Sequence, residues 1–557
     1  MSDQNLRVFG IDLGTTYSAV AYVNETGQPA VCRNFDSLET TPSVVFFENA
    51  SNVVVGSVAK NSAITYPDRV VSLIKRQMGT EATFNFDGKP YTPESISALI
   101  LKQLAGDAAA HTNGEVSKVV ITVPAYFGML ERDATKNAGK IAGLDVIGIV
   151  PEPVAAALHY EATTEAVNKT ILVYDLGGGT FDTTVIRVAK DEISVICTDG
   201  DDHLGGADWD ARLKDVLLSK FREQTPPDTD FEDDEEFLQS VAIVAEDTKK
   251  QLSKVESRPV PLRGAGVAVR VDVSRVEFEA VTDDLLDKTI EIVKRTLATL
   301  EQKAPGATVD DVLLVGGSTK MPAVAQRLRA AFGWEPKLHD PELAVAKGAA
   351  LYALGRVVHR ELETARQQAV SEPDARSRIA EAVDAVAAQT GISSATLESL
   401  AVQETHNVLP KAFGVKLVDT TDPDWQSKPT QHYVEHLVHA NDPLPTGIRE
   451  LTAATIVENQ REMLIELYEQ SGVVAGPDLV ENKELNEGHG AIPCPPGLPL
   501  GSPVDIEMQV DDEGLLTLHA TERSTGKELQ VQVRVSVLST EQVDEATKLI
   551  SGIAVSS

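Results

Sequence analysis

The residues of this chain whose types and spacing suit chemistry collect at two short acidic–glycine corners. Asp12-Leu13-Gly14-Thr15-Thr16 follows an apolar run, and Asp175-Leu176-Gly177-Gly178-Gly179-Thr180-Phe181-Asp182 repeats the arrangement far along the chain. Glycine at such a turn lets backbone N–H groups approach an anion without interference from a Cβ, and threonine hydroxyls add donors. A carboxylate that close to an anion is unfavourable unless a divalent cation lies between them. Two such corners facing one another would clamp the phosphates of a nucleotide with Mg²⁺ between the carboxylates. One Asp-Leu-Gly alone is more often a plain hairpin corner; two copies on matched strands are not. A third cluster, Gly316-Gly317-Ser318-Thr319-Lys320, follows an apolar strand and precedes a helix opening at Met321-Pro322, where backbone can approach a flat nucleoside. No GxxxxGK[ST] run occurs, which excludes a P-loop nucleotidase.

The elements that must position these corners are duplicated. Residues 8–21 read VFGIDLGTTYSAVA and residues 172–186 read LVYDLGGGTFDTTVI. Each is an apolar strand, then Asp-Leu-Gly, small residues and a second apolar strand, which implies two similarly built lobes facing each other. Across 1–355, β-branched runs at 8–23, 119–123, 170–188 and 312–315 alternate with helical stretches at 126–142, 154–161, 208–222, 237–255, 281–300 and 321–332. That order predicts an α/β domain of mixed sheets with helices outside. Residues 356–404 change to Ala, Glu, Gln and Arg at helical spacing, a helical spacer broken near Ser371-Glu372-Pro373. Residues 405–538 change again, to short alternating runs such as VDIEMQV, LLTLHAT and LQVQVRVSV between Asp, Gly and Pro turns, as in an antiparallel β-sandwich. Residues 539–557 read as one short helix, and the acidic run 228–236 as a solvated turn before a helix.

At 557 residues the chain holds three to four packing units of roughly 150 residues each. The formal charge of −34 argues against nucleic acid or anionic lipid as the main partner, since both need a cationic footprint. Three cysteines, Cys32, Cys197 and Cys494, with no CxxC spacing, argue against a disulfide framework or structural zinc and suit a reducing compartment. Without a long apolar stretch or a basic-then-apolar leader, a soluble, cytoplasmic protein without membrane contact is expected.

Taken together, the motifs match a known family. The chain resembles the 70-kilodalton heat-shock protein chaperones of the actin-like ATPase superfamily, through GIDLGTTYS (10–18), IKRQMG (74–79), ITVPAYF (121–127) and ATKNAGKIAGL (134–144). The resemblance continues in EPVAAAL (152–158), VYDLGGGTFD (173–182), HLGGADWD (203–210), VGGSTKMP (315–322) and AVAKGAA (344–350). These cover the first 355 residues in order; the part beyond matches more loosely, best at 501–535. The resemblance implies a two-lobed ATPase domain of duplicated ribonuclease H-like lobes, then a β-sandwich that binds unfolded peptide or a dedicated client protein.

By resemblance, Asp12, Glu152 and Asp175 position the magnesium of ATP or ADP, Asp182 orders the attacking water, and Lys75 lies beside the γ-phosphate. Gly14, Thr15, Thr16, Tyr17 and Gly177, Gly178, Gly179 and Thr180 hold the phosphates, and Gly205 and Gly206 approach from the other lobe. Glu246, Lys249, Lys250 and Ser253 share one helix face and line ribose and adenine with Gly316, Gly317, Ser318, Lys320 and Glu342. Matching the sandwich gives Val415, Val418, Ala453, Ala454, Ile456, Met463 and Ile465 as the apolar peptide groove; for any one of them, ordinary core is an equally good reading.

The chain departs from the family pattern in four places. Lysine stands at Lys250 and Lys320, where the family usually stacks an arginine on adenine, which weakens planar stacking. Gly148 and Pro151 replace residues that receive J-domain co-chaperones, so standard J-domain stimulation is not expected, although a nucleotide exchange factor remains in keeping. The apolar interdomain linker is replaced by Glu404-Thr405-His406-Asn407, and the long helical lid has no counterpart in 539–557. The expected function is a specialised ATP-dependent chaperone. A small-molecule kinase or a filament-forming protein on the same ATPase core is the alternative.

Overall fold

Each Asp-Leu-Gly corner joins two antiparallel strands, Phe9–Asp12 to Tyr17–Val23 and Lys169–Leu176 to Phe181–Ala189. In both hairpins the first strand takes a parallel neighbour on its far side, Lys118–Val123 in one and Asp311–Val315 in the other. The first sheet runs Asp145–Pro151, Lys118–Val123, Phe9–Asp12, Tyr17–Val23, Pro29–Val31; the second runs Lys337–Leu338, Asp311–Val315, Lys169–Leu176, Phe181–Ala189, Glu192–Asp201. The strand order is the same, so the repeated motif marks a repeated sheet, and the two lobes are built on these two sheets. The structure is a computed structural model that describes residues 7–164, 168–190, 192–420, 424, 432–472, 474–485, 490–512, 514–533 and 537–557. The start of the chain and the 534–536 part of the LQVQVRVSV run lie outside the described residues.

Two helices, Glu152–Thr164 and Ala344–Gln367, pack between the lobes in a core shared by Val8 and Val120 from the first sheet and Ile171, Val173 and Leu313 from the second. Their close crossing depends on small residues. A Cβ on Gly348 would lie 1.7 Å from the Ala155 carbonyl oxygen, and one on Gly10 would lie 2.2 Å from the Ala350 nitrogen.

The predicted spacer 356–404 begins inside the central helix Ala344–Gln367, so no boundary falls at 355, and it continues as Glu372–Thr390 and Ser394–Val402. Ser371 caps the first of these, and Gly391 at φ 74° ends it. Val383, Val386 and Leu397 bury into the core of the central helices, so this segment is packed against the lobes. Glu404–His406 then adds a parallel strand to Glu192–Ser194 at the edge of the second sheet. Strand addition uses backbone N–H and C=O groups, so this polar sequence pairs with the sheet edge without needing apolar side chains. The helix Pro93–Thr112 escapes the pattern reading because it is apolar on several faces, Ile96, Leu99, Ile100 and Leu101 all being fully buried.

Beyond residue 405 the described residues form two four-stranded antiparallel sheets and a two-stranded one, Glu462–Ile465 with Gly490–Pro493. One four-stranded sheet orders His432–Val438, Phe413–Val418, Leu467–Gln470, Asn482–Glu484; the other orders Arg449–Ala454, Pro503–Val510, Leu516–Glu522, Lys527–Val533. Val504, Ile506, Met508 and Val510 alternate with more exposed residues and share a core with Phe413 and Val415. Met129 and Leu130, at the start of the first-lobe helix Met129–Ile141, plug into that core. The chain then returns to the first lobe, where helix Thr540–Ser551 packs and Ala554–Ser556 pairs in parallel with Asn52–Val55.

Where the β-rich part meets the first lobe, Glu469 is 1% exposed and its Oε1 accepts a long hydrogen bond from the Met129 N–H at 3.4 Å. Lys411 Nζ, beside it, bonds Glu131 Oε1 at 3.3 Å. Burial pushes the Glu469 carboxyl up to about 7; Lys411 opposes this and Glu131 adds to it. A raised carboxyl binds its proton more tightly in the packed state, so this stabilisation is full below the usual pKa of 4.5 and is lost as pH rises through about 7. Glu469→Gln is expected to flatten the loss of stability between pH 5 and about 8 by on the order of 2 kcal/mol, read from urea unfolding midpoints of the two proteins. Parallel pH profiles for wild type and variant would rule this out.

Candidate functional site

The corners face each other across a cavity of about 390 Å³ between the lobes. Asp12 ends its strand with Oδ1 accepting from Thr122 Oγ1 at 3.1 Å. Opposite, Asp175 and Asp182 are cross-strand partners on the second hairpin. Glu152 opens the central helix, and its Oε1 accepts from Lys75 Nζ at 2.5 Å. Lys75 sits on the short helix Ile74–Gln77, which Leu73 enters at φ 56°. Both members of this ion pair are buried.

The electrostatics of this group are unbalanced. Burial pushes Asp12 up to about 7, with Glu152 adding and Lys75 opposing. Burial, then Glu152, raise Asp175 and Asp182 well above the usual carboxylate range. Burial would lower Lys75, but Glu152 and Asp12 outweigh it and hold the ammonium above its ordinary value. Four carboxylates thus surround one lysine. Both Asp182 oxygens are buried without a well-formed hydrogen bond, the Tyr126 N–H giving only a weak assist. An all-oxygen acidic set short of positive charge fits a hard divalent cation such as Mg²⁺, with Asp12, Glu152 and Asp175 lining the cavity toward it.

The glycines shape the anion side. A Cβ on Gly178 would lie 1.9 Å from Thr16 Oγ1, and one on Gly179 would lie 2.2 Å from Thr15 Cγ2. The two corners therefore interlock, threonine against glycine. The turn is braced by Gly206 N–H donating to Gly177 O at 3.0 Å, Ala207 N–H to Gly178 O at 2.7 Å and Ser318 Oγ to Gly177 O at 2.9 Å. Gly179→Ala is expected to weaken MgATP binding at least about 10-fold in titration calorimetry, since the methyl displaces Thr15 from the cleft. Unchanged affinity would show that the two corners do not act together.

At the far end Tyr17, Lys60, Glu246 and Lys250 form one network. Tyr17 donates to Glu246 Oε1 at 2.8 Å and accepts from Lys60 at 2.9 Å and Lys250 at 2.8 Å; Lys60 also pairs with Glu246 across the cleft. Burial raises the Glu246 carboxyl, but Lys60 and Lys250 outweigh it and bring it down to about 2. Lys249 bonds Gly206 O at 2.7 Å and Asp210 at 2.8 Å, and Lys320 pairs with Glu342 at 2.7 Å.

Of the nucleotide-side residues named from the sequence, all line this cavity except Asp182, Gly179 and Gly205, which pack directly behind it. Lys60, Arg76, Thr122 and Asp210 join the group without having been singled out. Among the groove candidates, Val415, Met463 and Ile465 are buried in the shared core, Val418, Ala453 and Ile456 are half-buried, and Ala454 is exposed.

This two-lobed cleft agrees with what sequence comparison finds. The family model for Hsp70 protein matches residues 8–86 and 80–364, more than half of the chain. The chain belongs to the Hsp70 family. Its fold is accordingly that of an α/β actin-like ATPase over this span, and the family is one of ATP-dependent chaperones that bind ATP or ADP with Mg²⁺. The Hsp70 match ends at residue 364, so the packed helices at 372–402 and the β-rich part are described by the structure alone.

Proposed function

We propose that this Hsp70-family chain is an ATP-hydrolysing chaperone whose nucleotide state controls the grip of its β-rich part on an unfolded segment or one dedicated client. The observation that carries the reading is the convergence of Asp12, Lys75, Glu152 and Asp175 with two interlocked glycine–threonine corners in one cavity. Mg²⁺ bound there supplies charge to the phosphate oxygens. Asp12, Glu152 and Asp175 hold it, the Gly14–Thr16 and Gly177–Thr180 backbones orient the phosphates, Asp182 accepts from the attacking water, and Lys75 faces the charge that develops in the transition state. Glu246, Lys250, Lys320 and Glu342 frame the base with no guanidinium among the cavity-lining groups, so planar stacking by an arginine is not available there.

The β-rich part is read as a β-sandwich in which Ala453, Ala454 and Ile456, with Val418, give the accessible apolar surface for an extended peptide. Its docked linker strand at Glu404–His406 supports coupling to the second lobe despite the polar sequence. A nucleotide exchange factor acting across the Lys60–Glu246 pair and a cytoplasmic location belong to the same reading. Titration calorimetry with MgATP, single-turnover hydrolysis, and peptide binding with ATP or ADP present test it. Uptake of MgATP with slow hydrolysis and a several-fold change in peptide affinity is expected; turnover stimulated by a polyol and indifferent to peptide would favour a small-molecule kinase.

A further inference from the structure

Lys75 and Arg76 are neighbours on the short helix Ile74–Gln77 but reach in different directions. Lys75 turns to Glu152 in the carboxylate group. Arg76 crosses from the first lobe to the second, its Nε donating to Gly179 O at 2.8 Å and its Nη2 to Asp208 Oδ2 at 2.6 Å. That same Asp208 oxygen accepts from the Gly205 N–H at 2.8 Å and so caps the helix Gly206–Gln224. Gly205 in turn lies flat on Gly179, where a Cβ would meet the Gly179 backbone at 2.5 Å. The guanidinium thus ties together the last carbonyl of the phosphate turn and the helix start that braces it.

This geometry fixes two distances with one side chain. Arg76 makes the spacing between the Ile74–Gln77 helix and the Gly177–Gly179 turn definite, and Lys75 is the next residue on that helix. We propose that Arg76 is the positioning residue that seats Lys75 against the phosphate turn, so that lobe closure sets the rate of the chemical step. The inference rests on the ATPase reading above. A fork with two separate acceptors suits arginine and not lysine, whose single ammonium reaches one acceptor at a time. Arg76 bonds the Gly179 carbonyl and Asp208, and no hydrogen bond joins it to Asp12, Glu152, Asp175 or the base frame, so its removal displaces the lysine while the groups that face the nucleotide stay in place. The effect belongs on hydrolysis and not on affinity.

The test uses the full chain with Arg76→Lys, Arg76→Gln and Asp208→Asn, each checked by its urea unfolding midpoint. Single-turnover hydrolysis of MgATP is expected to slow about 10- to 100-fold in Arg76→Gln and less in Arg76→Lys, with the dissociation constant for MgATP within about 3-fold of wild type. Arg76→Gln combined with Asp208→Asn is expected to be no slower than Arg76→Gln alone, because both remove the same tie. If Arg76→Gln does not fold, Arg76→Lys carries the same rate-against-affinity comparison. Variants that hydrolyse at the wild-type rate, that lose affinity in proportion to rate, or that slow additively with Asp208→Asn overturn the proposal. Wild type that takes up no MgATP overturns the ATPase reading and this inference together, whereas wild-type hydrolysis with indifferent variants overturns this inference alone.

Discussion

Replacing Lys75 by methionine is expected to slow single-turnover ATP hydrolysis by about 10²- to 10³-fold while MgATP affinity stays within a few-fold. The ammonium is 5% exposed and is the positive charge that opposes Glu152, Asp12, Asp175 and Asp182 in the pKa balance of each aspartate. A preformed charge in a water-poor site acts on the transition state with little reorganisation, whereas the ground-state phosphates keep their backbone donors. The same substitution leaves Glu152 buried without its partner, and breaking a buried pair costs about 3–5 kcal/mol. The nucleotide-free variant is therefore expected to unfold at lower urea than wild type. Added MgATP is expected to raise the midpoints of variant and wild type by similar amounts, because their affinities lie within a few-fold of each other. A methionine variant with undiminished hydrolysis would remove Lys75 from the chemistry.

What the sequence makes legible here is what is encoded locally. An Asp-Leu-Gly corner is a run of adjacent residues, so both copies, and the two similar lobes they imply, can be read before any contact is known. Lys60, Arg76 and Thr122 are single polar residues whose roles come from chain crossings; Arg76 lies one position from Lys75, but nothing in its type says that it reaches Gly179. The helix Pro93–Thr112 is hidden by burial on several faces, since periodicity needs a wet side to show itself. Apolarity is a poor guide to the linker for a different reason: Glu404–His406 docks through its backbone. Alternation places Val415, Met463 and Ile465 on one side of their strands but is silent on whether that side meets a ligand or the opposing sheet, and here it meets the core.

Deleting residues 538–557 is expected to destabilise the first lobe by more than about 5 kcal/mol, a large part of what holds a domain folded. Ile550 and Ile553 are 1% and 2% exposed and belong to the same core as Phe47, Val53, Leu101 and Ile141. Truncating one such residue to alanine costs roughly 2–5 kcal/mol, and the deletion removes both with the half-buried Val543, Leu549 and Val555. Lys102 Nζ donates to Ile550 O at 3.1 Å and Ile553 O at 2.8 Å, so the segment is also held by its carbonyls. Its loss turns Asn52–Val55 into an open sheet edge, with unpaired backbone groups ready to pair with another chain. The effect extends to the β-rich part, because Val537 packs against its core while the adjoining Leu538 is buried in the first-lobe core. The truncated chain is expected to show a lower urea midpoint, faster amide exchange at Asn52–Val55 and at Met129–Leu130, and concentration-dependent association. Ile550→Ala should reproduce the first two in weaker form. Unchanged exchange at Asn52–Val55 in both proteins would mean that the tail does not hold the first lobe in solution.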